Sequence, residues 1–159
     1  MRENMELTIV VVEDDDQDAI WICDELQASL NAEVEVIRCE RDFVAKLPVL
    51  GQNRPDLIIF DVMLRWATSS EELEREVEQG KVPKDVIEEG FIRAGLRCVA
   101  RLKSYDDTKD IPYLIYTGLQ TNNFTEEAIH VAEIITKSDD IRPLIAAVRN
   151  KLARGRNTK

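Results

Sequence analysis

The stretch LTIVVVEDDDQDAI, residues 7–20, joins an apolar run to four consecutive acids, Glu13, Asp14, Asp15 and Asp16. The run Leu7–Val12 is β-branched and lacks polar alternation, the pattern of a strand buried on both faces. A strand of that kind belongs to a parallel sheet covered by helices on two sides. The acids that end it repel one another, by roughly 1 kcal/mol per pair at 4 Å in water and by several in a partly dry site. Three things can hold such a cluster together: a solvated turn, a helix N-terminus, or a cation. Asp15 and Asp16 suit the start of the following helix, where negative charge meets the helix dipole.

Working outward, apolar runs alternate with amphipathic stretches. DAIWICDELQASL (18–30) places Ile20, Cys23, Leu26 and Leu30, with Trp21 nearby, at helical spacing. AEVEVIRC (32–39) alternates and predicts an edge strand. ERDFVAKLPVL (40–50) predicts a short helix that Pro48 disturbs late. PDLIIFDVML (55–64), YLIYTG (113–118) and AEIITKS (132–138) predict three more strands, and GLRCVARLK (95–103) an intervening helix. DIRPLIAAVRNKLARG (140–155) predicts a last helix with Ile141, Leu144, Ile145, Val148 and Leu152 as its stripe. The basic end from residue 154 is expected to fray. Strands alternating with helices imply βαβ units. The predicted fold class is α/β: one open, doubly wound, five-stranded parallel sheet in a single domain over residues 1–159.

Composition narrows the function. The chain has 159 residues, 44% apolar and 33% charged, with net charge −10. That charge argues against direct DNA binding and against an anionic membrane as partner. No apolar run suits a signal peptide or a membrane span, so a cytoplasmic protein is predicted. Cys23, Cys39 and Cys98 are unevenly spaced and the chain has one His; they read as reduced core thiols, not as a disulfide set or a metal site. His130, expected on a helix between the fourth and fifth strands, reads as a surface or core residue. Trp21 and Trp66 read as packing residues.

Ligands of open parallel sheets bind beyond the carboxyl ends of the strands. Strand 1 delivers Glu13 and Asp14 there, strand 3 Asp61, strand 4 Thr117 and strand 5 Lys137. Carboxylates from two strands make an oxygen-rich site for a hard cation. Few protein ligands with retained waters favour magnesium, Mg2+. Such a cation also answers the repulsion in the opening stretch.

The constellation resembles the receiver domain of response regulators in bacterial two-component systems. IVVVEDD (9–15), PDLIIFDVML (55–64), GLRCVARLK (95–103), IPYLIYTG (111–118) and ITKS (135–138) carry the resemblance in the right order. It implies a flavodoxin-like fold with strand order 2-1-3-4-5 and helices on both faces, and a phosphoacceptor role for Asp61. It further implies Mg2+ held by Glu13, Asp14, Asp61 and the backbone carbonyl of Met63, a switch hydroxyl on Thr117, and a phosphoryl contact from Lys137. The domain would catalyse its own phosphorylation and dephosphorylation, taking the group from a sensor histidine kinase or a phosphotransfer protein. Departures from the family pattern are Glu13 for the commoner Asp, Gly118 for a usual Ala, Ser138 for a usual Pro, and Ile134 for a usual aromatic. The chain ends 22 residues after Lys137. The expectation is therefore a stand-alone receiver that signals to an unknown downstream protein by contact or by passing the phosphoryl group on; a homodimer is left open.

Three other classes fit these residues less well. A haloacid-dehalogenase-like phosphatase needs a second Asp two residues after the first, where Met63 stands. A flavodoxin-type cofactor protein needs a Ser/Thr-rich phosphate loop where the acids stand. A receiver-like docking module that is never phosphorylated usually lacks an acid, the Asp or the Lys, and all are present.

One segment breaks the rhythm. Gly95 follows Asp61 by 34 residues, leaving an insertion at about 65–94. Ser69 and Glu72 form a capping box for a Glu-rich helix that Gly80 could end, and VPKDVIEEGFIRA suits a second short helix. The insertion holds eight acids and five bases, together with Trp66, Leu73, Val77, Val82, Val86, Ile87, Phe91 and Ile92. Ordering a long loop costs entropy that only burial offsets. The segment is therefore expected to fold beside the site mouth, against the simpler expectation of a solvated loop.

Overall fold

In the computed structural model, which describes residues 6–120 and 133–157, alternate residues of the central strands feed opposite cores. From β1 (Leu7–Val12), Val10 and Val12 enter one cluster and Ile9 and Val11 the other. From β3 (Leu57–Phe60), Ile58 and Phe60 divide from Leu57 and Ile59 in the same way. That division explains the unbroken apolar runs: neither face of these strands meets water. The first core is closed by α2 (Glu40–Gln52) and α5 (Ala94–Ser104), and Phe43 meets Phe60 edge-on at 5.2 Å. The second is closed by α1 (Asp16–Leu30) and α6 (Arg142–Arg156).

With β2 (Ala32–Ile37), β4 (Tyr113–Thr117) and β5 (Ile134–Thr136), the sheet is five-stranded, parallel, and ordered β2-β1-β3-β4-β5, as expected. β2 lies at the edge, and its Glu33 and Glu35 face solvent. Among the described residues no helix is long and apolar enough to cross a membrane. Cys39 and Cys98 are buried and Cys23 half-buried, all as free thiols, and burial raises the Cys39 thiol to about 11.

Four expectations need correction. α1 begins at Asp16, because Asp15 caps it by accepting the Asp18 N–H at 2.9 Å. Its buried stripe is Ala19, Ile22 and Leu26, while Ile20 is exposed. β3 stops at Phe60, well short of residue 64. Past that point the Asp61 carboxylate, not a neighbouring strand, takes the Val62 N–H, at 2.6 Å. Pro48 does not shorten α2, which runs on to Gln52, because Leu47 and Leu50 are buried in the first core. The last helix runs to Arg156. His130 and its expected helix lie outside the described residues.

The insertion is folded. Ser69 caps α3 (Ser70–Glu78) by accepting the Glu72 N–H at 3.2 Å, and Gly80 follows in a left-handed conformation at φ 67°. α4 (Lys84–Glu89) leads through a 3-10 turn (Phe91–Arg93) into α5. Trp66, Ala67, Val82 and Val86 form a small core of their own.

Candidate functional site

The sheet brings the predicted residues to one edge by extending its ladders one residue past the strands. Glu13 N–H donates to the Ile37 carbonyl at 3.0 Å and Asp61 N–H to the Val12 carbonyl at 3.0 Å. Lys137 N–H donates to the Thr117 carbonyl at 2.9 Å. The backbone at Glu13, Asp61 and Lys137 is thus fixed by the sheet, and the side chains need only reach inward.

They meet at the Lys137 ammonium. Its Nζ donates to Glu13 Oε2 at 2.7 Å, Asp18 Oδ2 at 2.8 Å and Asp61 Oδ2 at 3.0 Å. Asp61 uses its other oxygen, Oδ1, to accept from the Val62 N–H. Ligand atoms of Glu13, Asp14 and Asp61 lie within 4.8 Å of one another, so these three carboxylates could hold one metal ion. An open groove of about 470 Å³ runs over them, bordered by Met63, Arg65, Phe91, Gly118 and Lys137 as well as the acids.

Electrostatics follow from burial. Glu13 is 1% exposed. Burial, then the charge of Asp61, raises its carboxyl to about 7, although Lys137 opposes the shift. Burial alone would lower Lys137, but its bonds to Asp18 and Glu13 and the charge of Asp61 more than offset that and raise it. The ammonium therefore stays charged at neutral pH and compensates part of the acid cluster. A divalent cation fits the donor set, because it would neutralise the remaining charge on oxygens already gathered.

Thr117 is the predicted residue that the structure sets apart. It is fully buried, its hydroxyl accepts from the Leu119 N–H at 3.3 Å, and the groove is bordered by Gly118 instead.

Three residues escaped sequence reasoning. Asp18 reaches Lys137 from the first turn of α1; four acids in a row drew attention to the strand end and away from the helix. Arg65, first residue of the insertion, donates its backbone N–H and its Nε to Asp14 Oδ2, both at 3.1 Å, and Nη2 to the Asp14 carbonyl at 3.1 Å. Glu40 is buried beneath the insertion, where Arg97 grips it through Nε and Nη2 at 2.8 Å each. The two residues stand 57 apart in the chain, and no local spacing marks them as a pair.

No family model and no curated protein matches the sequence. Solved structures do match. The chain is similar to the phosphorylated cyanobacterial phytochrome response regulator RcpA, at 24% identity over 91% of this chain and 90% of that one, with TM-score 0.61. It is similar to the N-terminal domain of a response regulator/sensory box/GGDEF 3-domain protein from Carboxydothermus hydrogenoformans, at 20% identity over 95% and 98%, with TM-score 0.65. It is also similar to the receiver domain of a DNA-binding response regulator from Colwellia psychrerythraea, at 18% identity over 91% and 97%, with TM-score 0.62. The fold is that of response regulator receiver domains.

Proposed function

We propose that this chain is a phosphoacceptor receiver, phosphorylated on Asp61 by a histidine kinase or a phosphotransfer protein of a two-component system. The observation that carries the reading is the Lys137 ammonium, 3.0 Å from Asp61 Oδ2 at the centre of carboxylates delivered by separate strands. Phosphoryl transfer demands positioning and charge neutralisation more than covalent chemistry. Asp61 supplies the nucleophilic oxygen. As the new O–P bond forms, the P–N bond to the donor histidine breaks and its electron pair returns to the imidazole. Lys137 neutralises charge on the transferred group, and the Val62 N–H keeps the second Asp61 oxygen oriented. Glu13, Asp14, Asp61 and the Met63 carbonyl would hold Mg2+, which supplies further charge neutralisation when bound. Thr117 would swing its hydroxyl from Leu119 toward the phosphoryl group, the step that converts chemistry into a changed surface. Water attack on the phosphoaspartate returns the domain to its starting state and releases phosphate. A cytoplasmic location suits a kinase partner and the net acidic charge.

Intact-mass analysis tests this. Incubation with acetyl phosphate and Mg2+ is expected to add one phosphoryl group, about 80 Da, the HPO3 that transfer leaves on the acceptor. EDTA and Asp61→Asn are each expected to abolish the addition. Undiminished labelling of the Asn variant refutes the assignment.

A further inference from the structure

Lys137 is held by more acids than a phosphoryl contact requires. An ammonium has three N–H donors, and all three are taken, by Glu13 at 2.7 Å, Asp18 at 2.8 Å and Asp61 at 3.0 Å. The three partners are not equivalent. Glu13 and Asp61 are buried and, with Asp14, make up the set able to hold a metal ion; Asp18 lies outside that set. Asp61 Oδ2 also gives up its negative charge when it takes the phosphoryl group, so the Lys137 donor it held passes to a phosphoryl oxygen. Of the three acids, Asp18 alone then has no task but to hold the ammonium.

The fold aims Asp18 at that task. In the first turn of α1, its N–H donates to Asp15 Oδ1 at 2.9 Å, and Ala19 and Ile22 bury the inner side of the helix. The backbone is thus fixed, and one short side chain spans the gap to the residue that follows β5. Lys137 needs such a hold, because its long, flexible stem borders two open spaces. One is the acid groove; the other is lined by Trp21, Tyr116, Ser138 and Asp139. The Tyr116 ring centroid lies 6.0 Å from Nζ, which gives the cation a second resting place away from Asp61.

From these contacts we propose that Asp18 is a positioning residue: its carboxylate pins the Lys137 ammonium beside Asp61 while the phosphoryl group arrives. The inference rests on the phosphoacceptor reading of Asp61 and extends it to a residue of α1. The competing role for Asp18 is plain repulsion of an anionic phosphodonor, and removing its charge would then speed the reaction.

Labelling of the full chain by acetyl phosphate at saturating Mg2+, followed by intact mass, separates the two roles. Asp18→Ala is expected to take the label at least about fivefold more slowly than wild type, the cost of a displaced charge. Asp18→Asn keeps a weaker acceptor oxygen in the same place and is expected to fall between the two. Both variants retain the Asp18 N–H that Asp15 caps, and melting curves check the fold. A second measurement needs neither metal nor phosphodonor. Across wild type, Asp18→Ala, Lys137→Ala and the double variant, the shifts in Tm are expected to be non-additive. Asp18→Ala lowers Tm while Lys137 is present and raises it once Lys137 is gone, since Asp18 then only repels its neighbours. Labelling of Asp18→Ala as fast as wild type or faster, equal losses in the Ala and Asn variants, or additive Tm shifts each overturn the positioning role while leaving Asp61 as the acceptor. A wild type that takes no label overturns the phosphoacceptor reading, and this role with it.

Discussion

A divalent cation held by Glu13, Asp14 and Asp61 would compete with Arg65 for Asp14, whose Oδ2 takes two hydrogen bonds from that residue. The side chain is more than half exposed, so the ion pair contributes about 0.2–1 kcal/mol, as exposed pairs do. Arg65→Ala is therefore expected to tighten Mg2+ binding by roughly 1.4- to fivefold in isothermal titration. Weaker binding in the variant would mean that the arginine organises the site instead of guarding it. Glu13 makes a prediction in pH. Its folded pKa, about 7, lies above the ordinary 4.5. The folded state thus holds a proton that the unfolded chain has released, and stability falls as pH rises from about 4.5 to 7. Lys137 has the opposite timing: raised from 10.5, it contributes stability at all lower pH and loses it only above. In the absence of metal, the melting temperature is expected to drop between these acid and neutral limits more steeply in wild type than in Glu13→Gln. Parallel curves would remove Glu13 from the account. Gly95 shows how close the packing runs. A Cβ there would stand 2.0 Å from the Asp61 carbonyl oxygen and 2.7 Å from Val62 Cα. Gly95→Ala is expected to cost about 3 kcal/mol in urea unfolding and to slow labelling of Asp61. A stability within error of wild type would show that the loop yields without strain.

At the scale of elements, the insertion is welded to the domain through α2. Cys39, the residue before that helix, offers no side-chain cap. The carbonyls of Arg65 and Trp66 accept the Glu40 and Arg41 N–H groups at 2.9 and 3.0 Å, so the insertion satisfies donors that the helix itself cannot. Arg41 then reaches out to Glu76 at 3.2 Å, and Trp66 Nε1 donates to the same carboxylate at 3.1 Å. Residues 65–94 fold into short helices, as expected, and the reason was visible in their apolar residues. The manner of attachment was not visible, because backbone-to-backbone capping leaves no trace in side-chain identity. The strands and their end acids were legible for the converse reason: a two-sided core forces unbroken β-branched runs, and the chain direction then fixes which residues emerge at the carboxyl edge. Asp18 and Arg65 depend on rotamers across elements, which spacing does not encode. Trp66→Ala removes the largest member of the small core and is expected to cost about 3–5 kcal/mol locally. Amide exchange should accelerate across residues 70–89 while the sheet keeps its protection. Uniform acceleration would show instead that the insertion and the sheet unfold as one unit.

The whole molecule balances an acid-rich edge against an apolar sheet. Glu13 and Asp61, both buried, share one ammonium with Asp18, and Asp14 leans on Arg65. Part of the fold's stability is therefore spent holding like charges together, and a cation that binds the folded state alone would relieve it. Such binding stabilises by RT ln(1 + [L]/Kd), about 2.7 kcal/mol at 100-fold excess over Kd. For a domain of this size that corresponds to a rise of roughly 5–10 °C in Tm. Wild type is expected to show the rise on adding millimolar Mg2+. Asp14→Asn is expected to start higher in the absence of metal, with one fewer charge in the cluster, and to lose most of the response. The two effects have opposite signs in a single variant, so a general salt effect cannot imitate them: screening would raise wild type and variant alike. If Mg2+ leaves the wild-type Tm unchanged while labelling of Asp61 still proceeds, the acids serve the phosphoryl group through Lys137 alone, and Glu13, Asp14 and Asp61 do not form a metal site.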